Sequence, residues 1–352
     1  MSGKRVQSKK KILCQRKILI FLCVILGAEL LILIAYNFLK DEPAISENTP
    51  APPKKSITLL EDDDTNIEDT SPNYIQNIGD FTRKDKCYTF LLAASDQASG
   101  NADTIMVIMF DTIQSKVGVV SIPRDTLINP KDGFSTYPKI NSTYLQGIDN
   151  LVGAVSNLLG IPIDFYITVD INGFVRLIDT VGGIDFNIPV HMSYDDPIQN
   201  LSIHFEPGVQ HLNGEDALKV CRLRSNDDGT LAYPDYDIGR TRTQQQILIA
   251  VAKRVLLNPQ KIPEYFRIFQ DYVKTNLSFG NALWFVDPLL KLDLEKDISF
   301  STLPGDGTIS YRNARYCYEL FPEETIAIVN DLISPYSEPI SREDMNIFVT
   351  SK

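Results

Sequence analysis

The sequence predicts a three-layer α/β domain behind one transmembrane helix. Three observations lead there. Short apolar strand-like runs alternate with helix-period segments from about Phe81 to Ser334, the pattern that layers helices onto a sheet. A 22-residue apolar stretch, Ile18 to Leu39, precedes this region. The segment between them is rich in proline and acid and cannot bury enough apolar surface to fold alone.

Ile18 to Leu39 is apolar apart from Glu29 and Asn37. As a helix it can cross the roughly 30 Å hydrocarbon core of a bilayer. Residues 1–17 carry seven Lys and Arg and no acid, so the amino terminus is expected in the cytoplasm and the rest of the chain outside. A cleaved signal peptide is the competing reading. The apolar run is too long for one, and no small-x-small site follows it. Residues 40–80 read as a disordered extracellular linker, stiffened by Pro43, Pro50, Pro52 and Pro53 and extended by Glu61, Asp62, Asp63 and Asp64. The globular domain is expected over 81–335, with 336–352 as a tail.

The net charge is −11, and beyond residue 17 only 27 of the 34 Lys and Arg face all 45 Asp and Glu. That balance argues against nucleic acid, which needs a broad basic footprint. Three histidines with no pair on one helical face argue against a zinc site. Cys87, Cys221 and Cys317 fit either three free thiols or one disulfide and one thiol.

Within the domain, Tyr88 to Ala94, Thr104 to Phe110 and Lys116 to Ile122 read as strands, the last two joined by a hairpin turn at Asp111 to Ser115. Asp96 and Asp103 flank adjacent strand ends. They fit turn formation, or a Mg²⁺ site, since hard cations take carboxylate and phosphate oxygens. Pro123 ends the third strand and throws Arg124 into the loop after it, a common place for a ligand in α/β sheets; pairing with Asp125 is the simpler reading. A helix is expected over Ile148 to Leu159 and a strand over Phe165 to Val169. Asp170 then caps a helix over Ile171 to Val181, and Gly182-Gly183 leads into a strand, Ile184 to Val190. Asn213 caps the helix that ends near Arg222 and Arg224. Beyond it, helices are expected over Ile238 to Leu257, Ile262 to Thr275, Asn281 to Lys291 and Pro322 to Ile333, with a strand at Ile298 to Leu303. Phe266, Phe269, Tyr272, Trp284 and Phe285 read as core, or as the wall of a groove for a lipid tail.

The chemistry concentrates between Gly214 and Gln246, where Arg222 and Arg224 form one close pair and Arg240 and Arg242 a second. A guanidinium is always charged and offers a planar fork of donors suited to phosphate oxygens. Converging arginines repel unless a multiply charged anion lies between them. The other reading puts them on solvated faces, paired with Glu215, Asp216, Asp227, Asp228 and Asp237. Arg240 and Gln244 are four apart and share a helix face. Asp237 is placed to cap that helix or to orient Arg240.

These segments, in this order, resemble the LytR-CpsA-Psr family of cell-wall glycopolymer ligases. The resemblance runs through Asn101 to Met106, Ser121 to Thr126, Lys139-Ile140-Asn141, Gly182-Gly183-Ile184, Leu212 to Leu218, Arg222-Leu223-Arg224 and Asp237 to Gln245. It implies an α-β-α sandwich around a central mixed sheet. It implies a phosphotransferase outside the membrane of a Gram-positive-type bacterium, taking a glycopolymer from a polyprenyl-pyrophosphate donor and joining it to a peptidoglycan sugar hydroxyl. It implies a pyrophosphate among Arg124, Arg222, Arg224 and Arg240 with Gln244 assisting, Asp237 orienting the arginines, and Mg²⁺ (or Mn²⁺) near Asp103 and Asp96. The chain departs from the family at Asn101 and Gln97, where arginine is usual. That departure motivates an alternative, a protein that binds polyprenyl pyrophosphate without turnover.

Overall fold

The computed structural model describes residues 39–45, 81–95, 100–197, 201–223, 225–230, 232–233 and 237–350. Nearly all of the expected membrane span and linker lies outside these residues. Among those described, no helix is long and apolar enough to cross a membrane. Residues 39–44 and Ser278–Leu289 form one compact unit, and the remaining described residues form the other.

The fold is mixed α/β with a central mixed sheet. In chain order its regular elements begin with β1 (Cys87–Ser95), β2 (Ala102–Asp111), β3 (Lys116–Ser121), α1 (Ile148–Leu159), β4 (Phe165–Asp170) and α2 (Ile171–Val181). Two hairpin layers and two helices follow: β5 (Ile184–Ile188), β6 (Met192–Asp196), β7 (Leu201–Phe205), β8 (Gly208–Leu212), α3 (Gly214–Arg222) and α4 (Asp237–Leu257). The last third holds α5 (Ile262–Tyr272), β9 (Val273–Thr275), α6 (Phe279–Leu289), β10 (Ile298–Thr302), β11 (Gly305–Tyr311), β12 (Ala314–Leu320) and α7 (Pro322–Ile328). Six strands make the main sheet, in the order β10-β3-β2-β1-β4-β9. β1 pairs with β4, and β10 with β3, in parallel, while β1–β2, β2–β3 and β4–β9 are antiparallel.

Local chemistry explains the helix boundaries. Asp170 accepts from the backbone N–H of Asn172 (2.7 Å) and starts α2; Asn213 accepts from that of Asp216 (2.8 Å) and starts α3. α2 stops at Gly182, whose φ of 86° no β-substituted residue adopts cheaply. α1 buries Leu151, Ala154, Val155, Leu158 and Leu159, one stripe at helical spacing, against the first core. That core also takes Leu91, Val107 and Val120 from the sheet. A second core joins α2, β5–β8, α3 and α4 through residues such as Ile178, Ile203, Val220 and Ile247.

Several expectations are corrected. The helix from Ile262 ends at Tyr272, because Val273–Thr275 leaves it to pair as an edge strand against Ile167–Val169. The final helix is α-helical only to Ile328; Val329–Ile333 opens into a π turn. The strand from Ile184 ends at Ile188, before Pro189. The hairpins β6–β7 and β11–β12 and strand β8 were not anticipated. Residues beyond 335, expected as a tail, pack: Tyr336, Ile340, Met345 and Ile347 are buried in the first core.

Gly118 in β3 admits the π turn closely. A Cβ there would stand 1.8 Å from the carbonyl oxygen of Leu332. Gly118→Ala is therefore expected to destabilise the fold by at least about 1–3 kcal/mol, the usual cost of overpacking. Denaturant unfolding with an unchanged midpoint would contradict this close approach.

Candidate active site

Sheet register brings the first two functional side chains together. In the antiparallel β2–β3 pair, Met106 lies opposite Ser121. Asp103 is three residues before Met106 and Arg124 three residues after Ser121, so both reach the same end of the sheet. Arg124 Nη1 donates to Asp103 Oδ1 at 2.5 Å. The carboxyl ends of β1 and β4 reach this end too, with Ser95 opposite Asp170.

The loop carrying Arg124 is held by backbone and by charge. Thr126 N donates to Pro123 O (2.9 Å), Tyr318 N to Asp125 O (2.8 Å) and Leu127 N to Tyr318 O (2.8 Å), so β12 clamps the loop on both sides of Thr126. Lys139 Nζ donates to Asp125 Oδ1 at 2.9 Å, while Arg124 Nε stands 3.7 Å from Asp125 Oδ2. Arg124 thus pairs with Asp125, as the simpler reading held, but more closely with Asp103.

Helix phase places the other cationic groups. Arg240, Gln244 and Leu248, each four residues on, form one face of α4 and line a cavity of about 540 Å³. Arg240 is 8% exposed, while Arg242, two residues on and nearly opposite, faces solvent. Gln244 Nε2 donates to Cys221 O (3.0 Å), joining α4 to the last turn of α3, where Arg222 also meets the cavity. Gln245 Nε2 donates to Ser121 Oγ (3.0 Å) and fixes α4 against β3. A small cleft shares Asp103, Arg124, Arg240 and Gln244 with the cavity.

The cavity is lined by both charged and apolar side chains. Its polar lining includes Asp103, Arg124, Arg222, Arg240 and Gln244, with Asp170 from the start of α2. Leu92, Met106, Val169, Phe174, Leu201 and Leu218 supply much of its apolar wall. The sequence reading missed these residues, and the wall does not come from the aromatic residues of 262–291. An alternating apolar pattern in β6 and β7 would have been the signal for Tyr194 and Leu201, but it is too short to stand out. Asp96 and Arg224 lie outside the described residues, as does the side chain of Asp237, the first residue of α4. Cys87, Cys221 and Cys317 are all free.

For a divalent cation the donor chemistry is restrictive. Among the described residues no group of three His, Cys, Asp or Glu is placed to hold a metal ion. An all-protein cage is therefore absent there. Asp103 on the cavity wall suits the other mode, in which Mg²⁺ takes one or two carboxylates and completes its shell with phosphate oxygens and water.

Cys221 reports on the electrostatics of the cavity. Burial pushes its thiol up to about 12, with the Arg240 guanidinium pulling the other way. At pH 8 its thiolate is about a thousandfold scarcer than that of an ordinary thiol. Native protein treated with iodoacetamide at pH 8 should leave Cys221 unmodified, and Arg240→Ala should not speed the reaction. Peptide mapping that finds Cys221 labelled at the rate of the denatured chain would contradict both.

The model of the LytR_cpsA_psr family matches residues 53–332. The chain is 35% identical over 195 residues to the polyisoprenyl-teichoic acid–peptidoglycan teichoic acid transferase TagV of Bacillus subtilis, covering 54% of this chain and 48% of that one. It thus spans about half the length of TagV. It is 31% identical over 237 residues to TagU of Bacillus anthracis, covering 66% of this chain and 73% of that one. The crystal structure of B. subtilis TagV aligns with a TM-score of 0.57 at 28% identity, covering 70% of this chain and 95% of that chain. The crystal structure of B. subtilis TagU aligns at 0.52, also with 28% identity, covering 73% and 99%. With four-fifths of its length matched by one family and the same fold in its relatives, this chain belongs to the LytR_cpsA_psr family.

Proposed function

We propose that this protein is a phosphotransferase that moves a glycopolymer from a polyprenyl-pyrophosphate carrier to a sugar hydroxyl of peptidoglycan. In this reading it works outside the cell membrane of a Gram-positive-type bacterium, as a three-layer α-β-α sandwich anchored by the helix Ile18 to Leu39. One observation carries the proposal. Arg124, Arg222 and Arg240, from a loop and two helices, line a single cavity whose remaining wall is largely apolar. A lipid pyrophosphate has these two halves. The relatives TagV and TagU are named as transferases of teichoic acid from a polyisoprenyl carrier to peptidoglycan, which supports the substrate class.

The reaction needs positioning and neutralisation more than covalent catalysis. The acceptor hydroxyl oxygen attacks the phosphorus that bears the glycan. The bond from that phosphorus to the bridging oxygen breaks, and polyprenyl phosphate leaves with the electron pair. The hydroxyl proton passes to a carboxylate, Asp103 or Asp96. Arg124, Arg222, Arg224 and Arg240 hold the phosphate oxygens and offset the charge that grows on them, with Gln244 assisting and Asp237 orienting the arginines. Mg²⁺ (or Mn²⁺), when bound through Asp103, Asp96 and phosphate oxygens, supplies further neutralisation of that charge. The short ion pair between Arg124 and Asp103 keeps the guanidinium oriented before substrate arrives. The anchor keeps the domain beside its lipid donor and raises the effective concentration.

Transfer of lipid-linked glycopolymer to peptidoglycan fragments tests the proposal. Arg124→Ala and Arg240→Ala are each expected to lower turnover by about 10²–10³-fold, the usual cost of losing one preorganised charge-stabilising donor, with little change in thermal stability. Arg240→Lys should rescue little, because an ammonium lacks the planar fork. Wild-type turnover in both alanine variants would refute the assignment. Tight donor binding with no product from the wild-type protein would instead leave a binding protein.

A further inference from the structure

The short helix α6 carries a feature that the transfer reaction does not use. Its sequence, Phe279-Gly280-Asn281-Ala282-Leu283-Trp284-Phe285-Val286-Asp287-Pro288-Leu289, has a single charge. Phe279, Val286 and Leu289 are 51%, 38% and 43% exposed. Steps of seven and three residues put them on one side of the helix. Phe285 is buried, its ring 5.2 Å from that of Trp284 in an edge-on contact.

The same helix is tied to the residues that follow the apolar stretch Ile18 to Leu39. Asp41 N donates to Gly280 O (3.1 Å), and Asn281 Nδ2 donates to Asp41 O (3.0 Å). Lys40 Nζ pairs with Asp287 at 2.9 Å, so the only charge of the helix is met by the first residue after the stretch. Gly280 makes this approach feasible, because a Cβ there would lie 3.0 Å from Leu39 O and from the side chain of Asp41.

We propose that α6 is an interfacial helix, lying on the outer surface of the bilayer with Phe279, Val286 and Leu289 among the lipid headgroups and upper acyl chains. The inference rests on the reading of Ile18 to Leu39 as a membrane span. If Leu39 ends the span, it stands at the hydrocarbon boundary. A helix bonded within two residues of it lies at headgroup depth, since a residue of extended chain advances only about 3.3–3.6 Å. An apolar face at that depth enters lipid more cheaply than it faces water, and tryptophan favours the same layer. Pairing Lys40 with Asp287 lowers the cost of bringing either charge there.

The chain holds its own probe. Trp284 is the only tryptophan of the 352 residues. The full-length protein, reconstituted in liposomes whose lipids carry bromine on upper acyl carbons, should lose a measurable part of its tryptophan emission relative to unbrominated liposomes, because Trp284 stands one helix diameter or less from the buried face. Phe279→Ser/Val286→Ser/Leu289→Ser should abolish that loss while the protein still resists extraction by alkaline carbonate. Protein that resists carbonate but shows no bromolipid quenching overturns the interfacial helix and leaves the anchor standing. Trp284 shielded from both bromolipid and aqueous acrylamide would mean that protein, such as a second copy, covers this face, and also overturns it. Release by carbonate overturns the anchor reading and the interfacial helix together. The transfer reaction is assayed separately and does not enter these outcomes.

Discussion

The antiparallel register of β2 and β3 is the constraint on which the site depends. Because Met106 faces Ser121, Asp103 and Arg124 arrive at the same end of the sheet and close a 2.5 Å ion pair. A shift of one residue would turn every side chain of β3 to the other face and part the two groups. The shift is opposed by packing: β3 is buried along Val117 to Ser121. Hydrophobic burial of β3 thus fixes the geometry of the charges.

Around that pair the molecule solves a like-charge problem. Three guanidinium groups line one cavity in a chain of net charge −11. Asp103 meets Arg124 directly, and Asp125 is shared between Arg124 and Lys139. The loop is further clamped by β12, so Arg124 is positioned by backbone as well as charge. Arg240 sits on a helix whose adjacent glutamines reach in different directions, Gln244 to the end of α3 and Gln245 to β3. Preorganisation of this kind is what phosphoryl transfer requires, since little reorganisation is then left to the reacting state.

The helices were legible because their signals are local. Asn213, Asp170 and Gly182 act within one turn of where they sit in sequence, and the helices they bound appear where they predict. The hairpins were not. β6, β7 and β8 are five residues each and mix polar with apolar side chains, so their pairing is decided by partners rather than by composition. β9 is three residues long and exists only because β4 offers it an edge. The packing of residues beyond 335 was hidden for the same reason: Ile340 and Met345 are isolated apolar residues whose burial depends on a surface made elsewhere.

The sequence by itself determined the kind of chemistry: permanent cations beside carboxylates in an otherwise acidic chain, behind an apolar stretch of membrane length. It also determined that Arg240 and Gln244 share a face, because helix periodicity is a property of the backbone. Only the tertiary structure decided that Arg124 and Arg222 join them, that Arg242 does not, and that Phe174, Leu201 and Leu218 wall a cavity rather than fill a core. An apolar side chain has the same composition whether it packs against protein or lines a space. The difference lies in what stands opposite it, and that is set by contacts between residues remote in the chain.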